Sequence, residues 1–150
     1  MTADEVKKLL GLRPHPREGG FFVRTYEAVE MVALPRYAGD GRAGERRTGT
    51  AIYYLLEPGT FSEMHRLRSD EVFHFYAGDA VEMLQLEEGH AGRMVAIGND
   101  LAAGERPQAV VPAHAWQAAQ SLGDWTLCGC TVAPGFDFKG FELAPPHWVP

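Results

Sequence analysis

A succession of short β-rich segments, each followed by a turn signal, constrains the fold of this chain more than any other feature. Runs of Val, Ile, Thr, Phe, Tyr and Trp recur between residues 21 and 132, and no helical periodicity interrupts them. Turn-forming residues end these runs, most clearly at Pro58-Gly59, Gly78-Asp79 and Gly98-Asn99-Asp100. Roughly nine or ten strands in this order, without crossover helices, predict an all-β fold: an antiparallel double-sheet barrel of the jelly-roll type.

A single short helix is predicted before the first strand. Thr2-Ala3-Asp4-Glu5 has the form of a capping box, in which two side chains satisfy backbone N–H groups, and Gly11 suits the left-handed turn that ends a helix. Three apolar residues supply one face of this helix: Val6, Leu9 and Leu10. The chain is therefore predicted to be one domain, with a helix over about 3–10, a barrel over about 20–143 and an irregular tail over 144–150.

The charge balance of the chain argues against a nucleic-acid partner. A formal net charge of −6 is the opposite of the basic surface that a nucleic-acid-binding protein requires. The most basic segment, residues 42–47, also contains Glu45 and lies in a Gly-rich stretch, so it is predicted to be a solvated loop. No apolar run approaches the roughly 20 residues of a membrane span, so no membrane partner is expected.

The two cysteines favour a reducing compartment. Cys128 and Cys130 are separated by one residue and cannot close a useful disulfide loop. The apolar segment around them is typical of a buried strand, so both are predicted to be small core residues. Together with the lack of an apolar secretory segment, this predicts a cytoplasmic protein.

The stretch between Gly59 and Gly78 carries the clearest candidate site. Its pattern is G-x5-H-x-L-x3-E-x6-G, in which the marked residues are His65, Leu67 and Glu71. All three are odd-numbered, so in an unbroken strand they would share one face. A histidine and a carboxylate that converge inside a barrel can transfer a proton, hold a polar ligand or bind a metal.

This stretch resembles the first motif of the cupin superfamily, in which a second histidine stands at the position of Leu67. The chain is similar in particular to a small subfamily of single-domain cupins known as a domain of unknown function. That resemblance extends over about 9–143 and rests on four blocks in order, which begin at His15, His65, Val111 and Ala133. It implies a single cupin jelly-roll barrel and a homodimer, since paired barrels also protect exposed sheet edges.

The second cupin motif is altered in this chain. Pro112 fits the motif, but His114 stands where glycine is usual and Gln117 where histidine is usual. The resemblance therefore implies a metal set reduced to His65, Glu71 and Gln117. A tight divalent site usually needs three or four protein ligands, and glutamine is a weak one. A divalent metal is thus an alternative, and no cofactor is firmly expected.

An acid–base site is the preferred interpretation. Glu71 is predicted to act as the base and His65 or His74 as the acid, although strand parity puts His74 on the face opposite Glu71 unless a bulge intervenes. Four residues are predicted to contact the ligand: Arg24, Tyr26, Tyr53 and Gln117. Of these, Arg24 and Tyr26 share parity and hence, in a regular strand, a face.

Three functions and one structural role stay open. The first function is a metal-independent isomerase or epimerase for a small polar, carbohydrate-like metabolite, by analogy with related cupins. The second is a barrel that binds such a metabolite without catalysis, and the third is a metal-dependent cupin enzyme. In the structural alternative, the barrel is filled by its own side chains, and His65 and Glu71 only satisfy each other.

Overall fold

The structure is a computed structural model and describes residues 1–34 and 44–148. Within these ranges a short helix, α1 (Ala3–Leu10), precedes the strands, and a 3-10 turn, Phe138–Gly140, precedes the last strand. The strands are β1 (Arg13–Pro14), β2 (Phe21–Glu27), β3 (Met31–Ala33), β4 (Glu45–Arg47), β5 (Thr50–Leu56), β6 (Ser62–Leu67), β7 (Asp70–Gly78), β8 (Val81–Leu86), β9 (Arg93–Ile97), β10 (Gln108–Val111), β11 (Trp116–Ser121), β12 (Thr126–Ala133) and β13 (Phe141–Leu143).

Two antiparallel sheets form the barrel. A six-stranded sheet has the order β1-β2-β5-β12-β7-β10, and a five-stranded sheet has the order β13-β6-β11-β8-β9. Strands β3 and β4 form a separate antiparallel pair. Many neighbours within the sheets are distant along the chain, as in β5 beside β12, and this is the connectivity of a jelly roll. The predicted fold class, an all-β jelly roll with one short N-terminal helix, is therefore confirmed.

The core lies between the two sheets, because successive side chains of a strand point to opposite faces. Tyr54 of β5 and Phe73 of β7 fill it from the six-stranded sheet, and Met83 of β8 fills it from the five-stranded sheet. Cys128 and Cys130 of β12 are free, buried and part of the same core. Both cysteines thus occupy the core positions that the sequence predicts.

Helix α1 covers part of the outer face of the six-stranded sheet. Its predicted capping box is present, since Glu5 N–H donates to Thr2 Oγ1 over 3.3 Å and Thr2 N–H donates to Glu5 Oε2 over 2.7 Å. Val6 packs against the outer face of β5, together with Leu10. The prediction that Leu9 belongs to this face is wrong, because Leu9 is 71% exposed. Strand β5 is consequently covered on both faces, by the core and by the helix.

The basic segment at residues 42–47 lies partly outside the described residues. Its described part contains β4, which pairs with β3, and Arg46 of β4 is only 6% exposed. The prediction of a solvated loop is therefore wrong for Arg46. Within residues 1–34 and 44–148, no helix is long and apolar enough to cross a membrane. The homodimer implied by the resemblance stays a prediction.

The turn between β10 and β11 contains a residue in an unfavourable conformation. His114 has a φ of 71°, and this left-handed region costs a residue with a Cβ atom about 1–2 kcal/mol. Its N–H group donates to the carbonyl oxygen of Leu67 over 2.7 Å, which any residue except proline can do. Replacing His114 by glycine is therefore expected to raise the free energy of unfolding by about 1 kcal/mol in urea denaturation.

The control for this prediction is the same substitution at His90. His90 is also exposed, and its φ is not positive. Glycine there adds backbone freedom to the unfolded chain without relieving strain, so His90→Gly is expected to leave the stability unchanged or to lower it. A stability gain of equal size at both positions would contradict the strain at His114.

Candidate functional site

The candidate site lies where the two strands of the first motif face each other across the barrel. His65 lies on β6 in the five-stranded sheet, and Glu71 lies on β7 in the six-stranded sheet. The motif is therefore not one unbroken strand, and shared parity is not what brings these side chains together. Both point into the barrel, where His65 is 2% and Glu71 is 7% exposed.

Gln117 holds the carboxylate of Glu71. Strand β11 pairs with β6 so that Gln117 lies beside His65, and its side chain points into the barrel with 1% exposure. Gln117 Nε2 donates to Glu71 Oε2 over 2.6 Å. This amide therefore orients the carboxyl group of Glu71 rather than lining the cavity itself.

His65 is fixed in one tautomer by its backbone partner. Its Nδ1 lies 2.6 Å from the carbonyl oxygen of Glu63, which can only accept a hydrogen bond, so Nδ1 carries the proton. Nε2 is then a lone-pair acceptor, and it lies 3.4 Å from Glu18 Oε2. The imidazole ring also stacks on Phe141, with ring centroids 5.2 Å apart. His65 thus presents an unprotonated ring nitrogen to the Glu18 carboxyl group.

Glu18 is the site residue that the sequence analysis missed. It belongs to the turn of residues 15–20, which enters the barrel because two glycines follow Glu18. Gly19 and Gly20 have φ values of 89° and 69°, and a Cβ atom at Gly19 would collide with the carbonyl oxygen of Phe61. The Glu18 carbonyl oxygen accepts from Glu63 N–H over 2.7 Å, and the Glu18 residue is only 8% exposed. This turn therefore brings a second carboxyl group to His65.

Burial dominates the electrostatics of the site. It raises the pKa of Glu18 from 4.5 to about 8, against an opposing hydrogen bond with Tyr54. Burial, and then the charge of Glu18, raise the pKa of Glu71 to about 7, whereas His65 and Gln117 act to lower it. Burial also lowers the pKa of His65, against the charge of Glu71.

These shifts define the protonation states near neutral pH. Glu18 is mainly protonated, Glu71 titrates, and His65 is neutral. The contact between Glu18 and His65 therefore joins a neutral carboxyl group to a neutral imidazole and is not an ion pair. Two carboxyl groups with pKa values on either side of physiological pH are typical of acid–base sites.

Glu18 and Glu71 line one cavity of about 50 Å³. His15 and Arg24 also line it, and the remaining wall is mostly apolar. Arg24 is exposed, and its Nη1 donates to Glu27 Oε2 over 2.6 Å. The cavity thus has two carboxyl groups inside, while its cationic residue is exposed and already paired.

The structure does not bring Tyr26, Tyr53 or His74 to this cavity. A bulge in β2 lets Arg24 pair with Ile52 and Tyr26 with Ala51, so the expectation that Arg24 and Tyr26 share a face is wrong.

Tyr53 lies on the outer face of β5, where its ring contacts Tyr76 with centroids 5.9 Å apart. Its neighbour Tyr54 points inward instead, and the Tyr54 hydroxyl donates to the carbonyl oxygen of Gly19 over 2.9 Å. The tyrosine at the site is therefore one position later than predicted.

His74 lies on the outer face of the six-stranded sheet. Its Nε2 is 3.4 Å from Thr131 Oγ1, and its Nδ1 is 3.4 Å from Gln108 Nε2. The pairing of β7 with β10 is regular from Glu71 to His74, so no bulge turns His74 inward. His65 is consequently the motif histidine that reaches the buried carboxyl groups.

The donor set does not fit a resident divalent metal. Leu67 lines the cavity with an apolar side chain at a position where the resemblance implies a histidine ligand. Gln117 directs its amide nitrogen at Glu71, and a nitrogen that donates a hydrogen bond is not a metal ligand. Across the described ranges, no group of three or more His, Cys, Asp or Glu residues is arranged to hold a metal ion.

The chain is similar to known proteins along nearly its whole length. A family model described as "Cupin superfamily (DUF985)" matches residues 4–144. A hypothetical protein from Leishmania major is 29% identical, with a TM-score of 0.86, over 96% of this chain and 88% of that one. A protein from Shewanella oneidensis is 35% identical, with a TM-score of 0.84, over 96% of this chain and 85% of that one.

More distant structures share only the fold. An oxalate decarboxylase variant from Bacillus subtilis is 13% identical, with a TM-score of 0.59, over 88% of this chain and 30% of that one. At this identity the likeness reaches the barrel and not the chemistry of its site. None of the curated proteins matches the chain.

Proposed function

The chain belongs to the cupin superfamily, in the family described as DUF985, and we propose that it is a metal-independent acid–base enzyme of the isomerase or epimerase type. The observation that carries this proposal is the pair of buried carboxyl groups, Glu18 and Glu71, which line the same cavity. Each is backed by a polar side chain, and burial raises the pKa of each into the neutral range.

The two carboxyl groups have different roles in this proposal. Glu71, with a pKa raised to about 7, is the base that removes a proton from a carbon atom next to a carbonyl group. Glu18, with a pKa raised to about 8, stays protonated and donates to the carbonyl oxygen, where negative charge develops. Glu71 then returns the proton to the neighbouring carbon from the same face, which gives an isomerase, or loses it to solvent while a water molecule protonates the opposite face of the original carbon, which gives an epimerase.

His65 and Gln117 are positioning residues in this proposal. Neither lines the cavity, but each contacts one of the carboxyl groups that do. His65 Nε2 lies 3.4 Å from the Glu18 carboxyl group and supports it from one side, while Gln117 holds Glu71 in one orientation. The acid role that the sequence analysis assigned to His65 or His74 is thus taken by Glu18 in this proposal, with His65 beside it.

A barrel that binds its ligand without catalysis is the second candidate. It is favoured by the hydrogen bonding inside the described site, where no buried side-chain nitrogen or oxygen lacks a partner. Such a site is stable without a substrate, and a ligand would then be held by the same carboxyl groups. Binding without chemistry and catalysis therefore have to be separated by experiment.

Hydrogen exchange tests the proposal without knowledge of the natural reaction. The protein is incubated in D₂O with a panel of small ketones, aldehydes and sugars, and the loss of C–H signals next to the carbonyl group is followed by NMR. The proposal expects exchange with one class of compound, with and without prior treatment with a chelator. Binding without exchange supports the second candidate, and exchange that needs an added divalent ion supports a metal-dependent enzyme. If no compound binds and none exchanges its protons, the result supports the structural alternative, in which the barrel is filled by its own side chains.

The pH dependence of this exchange is expected to be bell-shaped. The rate rises as Glu71 ionises with a pKa of about 7 and falls as Glu18 ionises with a pKa of about 8, so the maximum lies between these values. Glu18→Gln removes the ionisation on the alkaline side but keeps an N–H donor. In this variant the rate is expected to be lower and to stop falling at high pH. An alkaline limb that survives in Glu18→Gln would contradict the role of Glu18.

A further inference from the structure

Apolar side chains form most of the wall of the cavity that Glu18 and Glu71 share. Six lining residues contribute hydrocarbon or aromatic surface: Phe22, Ile52, Leu67, Val132, Phe136 and Phe138. Phe138 is 42% exposed and belongs to the 3-10 turn before β13. A ligand in this cavity therefore contacts carboxyl groups at one place and apolar surface over most of the rest.

The other polar groups of the wall already have partners. Arg24 donates to Glu27 over 2.6 Å, and Thr50 Oγ1 accepts from Phe136 N–H over 2.9 Å. His15 Nδ1 accepts the backbone N–H of Glu18 over 3.0 Å, which leaves one ring N–H on His15. The carboxyl groups of Glu18 and Glu71 and this ring N–H are thus the main polar groups left for a ligand.

We propose that the cavity selects a small, mainly apolar carbonyl compound rather than a carbohydrate. The carbonyl oxygen lies at the carboxyl group of Glu18, and the hydrocarbon part lies against the apolar wall. This assignment rests on the acid–base function proposed above for the reaction, but its selectivity follows from the wall alone. It replaces the carbohydrate-like ligand that the sequence analysis favoured.

Three physical arguments support this class. A sugar has a hydroxyl group on almost every carbon, and each one that faces Ile52, Val132 or a phenyl ring loses its hydrogen bonds to water without replacement. An anion would lie beside two carboxyl groups, while the cationic Arg24 is engaged by Glu27. A cavity of about 50 Å³ is also far below the roughly 300–1,000 Å³ of a pocket for a drug-sized molecule, so the ligand is small.

The reaction balances without an oxidant or a reductant. A C–H bond next to the carbonyl group breaks, its proton goes to the Glu71 carboxylate, and its electron pair forms an enolate. The enolate oxygen is held by the proton of Glu18. The proton on Glu71 then returns to carbon, or exchanges with solvent first, so that the observable result in D₂O is incorporation of deuterium.

The test compares three carbonyl compounds with equal numbers of non-hydrogen atoms. Diethyl ketone is apolar, dihydroxyacetone has hydroxyl groups in place of its two methyl groups, and pyruvate is an anion. Their affinities for the wild-type protein are measured by ligand-detected NMR titration. Diethyl ketone is expected to bind at least about tenfold more tightly than either of the others. Equal or tighter binding of dihydroxyacetone or pyruvate overturns the inference, and so does a lack of saturable binding of diethyl ketone.

A variant of the wall locates this selectivity. Val132→Thr adds a hydroxyl group to the cavity at nearly constant volume and is expected to reduce the preference for diethyl ketone over dihydroxyacetone. Thr131→Val makes the reverse change on the outer face of β12 and is expected to leave the preference unchanged. If the folded Val132→Thr protein keeps the wild-type ratio, the ligand binds elsewhere and the inference is overturned.

Deuterium exchange separates this inference from the proposed function. Selective binding of diethyl ketone without exchange of its methylene protons supports the ligand class and contradicts the enzyme. Exchange of dihydroxyacetone without binding of diethyl ketone supports the enzyme and overturns the ligand class.

Discussion

Replacing Glu71 by glutamine is expected to slow carbon–hydrogen exchange by about 10²–10⁴-fold, the contribution that a positioned general base makes. The change removes the only group that takes the proton but preserves the shape of the side chain. Its amide oxygen still accepts from Gln117 Nε2, which lies 2.6 Å from Glu71 Oε2 in the native protein. The variant should therefore remain folded, and exchange rates with a common substrate compare it with the wild type.

A matched control for this variant exists on the outside of the same barrel. Glu82 accepts from Gln120 Nε2 over 3.2 Å, so it also forms a pair between a glutamate and a glutamine. That pair lies on the outer face of the five-stranded sheet, away from the cavity. Glu82→Gln is expected to exchange at the wild-type rate. If Glu71→Gln also retained that rate, Glu71 would not be the base, and the acid–base proposal would lose its central residue.

The fold could be predicted because the patterns that determine its strands and helix each lie within a short stretch of the sequence. Turn residues and runs of β-branched and aromatic residues mark most strands of the barrel, and the capping box at Thr2 and Glu5 marks the helix. Some of the shortest strands were not predicted, because strands of two or three residues such as β1 and β4 have no periodicity long enough to recognise. Arg46 is an example: the charge of its segment indicated a solvated loop, whereas Arg46 lies on β4, which pairs with β3, and is buried.

Part of the site could be predicted because a motif carries it. His65, Glu71 and Gln117 stand at motif positions and all point into the barrel. Glu18 could not be found in this way, because the contact between Glu18 and His65 joins an irregular turn to a distant strand. The available signal was a charged residue directly before Gly19 and Gly20, which enable a close backbone approach.

Tyr53 and Tyr26 were assigned to the wrong face of their strands because strand parity was applied where its conditions do not hold. Parity assigns faces only where one face of a strand is exposed and the pairing is regular. Tyr53 and Tyr54 lie on β5, which helix α1 covers on its outer side, so aromatic residues occur on both faces. Tyr26 follows a bulge in β2, which shifts it by one position relative to Arg24. Neither the helix contact nor the bulge is visible in the alternation of the sequence.

The protein is expected to lose stability as the pH rises from about 5 to about 9, because its buried carboxyl groups must ionise inside the barrel. The folded-state pKa is about 8 for Glu18 and about 7 for Glu71, each raised from 4.5. The native state therefore binds more protons than the unfolded chain above pH 4.5, and unfolding becomes easier as the pH increases. At about 1.4 kcal/mol per pKa unit, the loss amounts to about 5 kcal/mol for Glu18 and about 3 kcal/mol for Glu71. The loss at Glu71 includes the repulsion from the charge of Glu18, so replacing Glu18 also reduces the loss at Glu71.

Glutamine at position 18 or 71 mimics the protonated carboxyl group and cannot ionise, so it should remove that residue's share of the stability loss at high pH. In urea denaturation at about pH 5, 7 and 9, Glu18→Gln and Glu71→Gln are each expected to lose less stability than the wild type, and the double variant least. At the high end of this range both single variants should be more stable than the wild type, although Glu71→Gln is also expected to be inactive. Such a pair of results means that the carboxyl groups are kept for chemistry at the expense of stability. If both variants followed the wild-type pH dependence, as Glu82→Gln should, the carboxyl groups would already be ionised in the folded protein, and their proposed division into acid and base would be wrong.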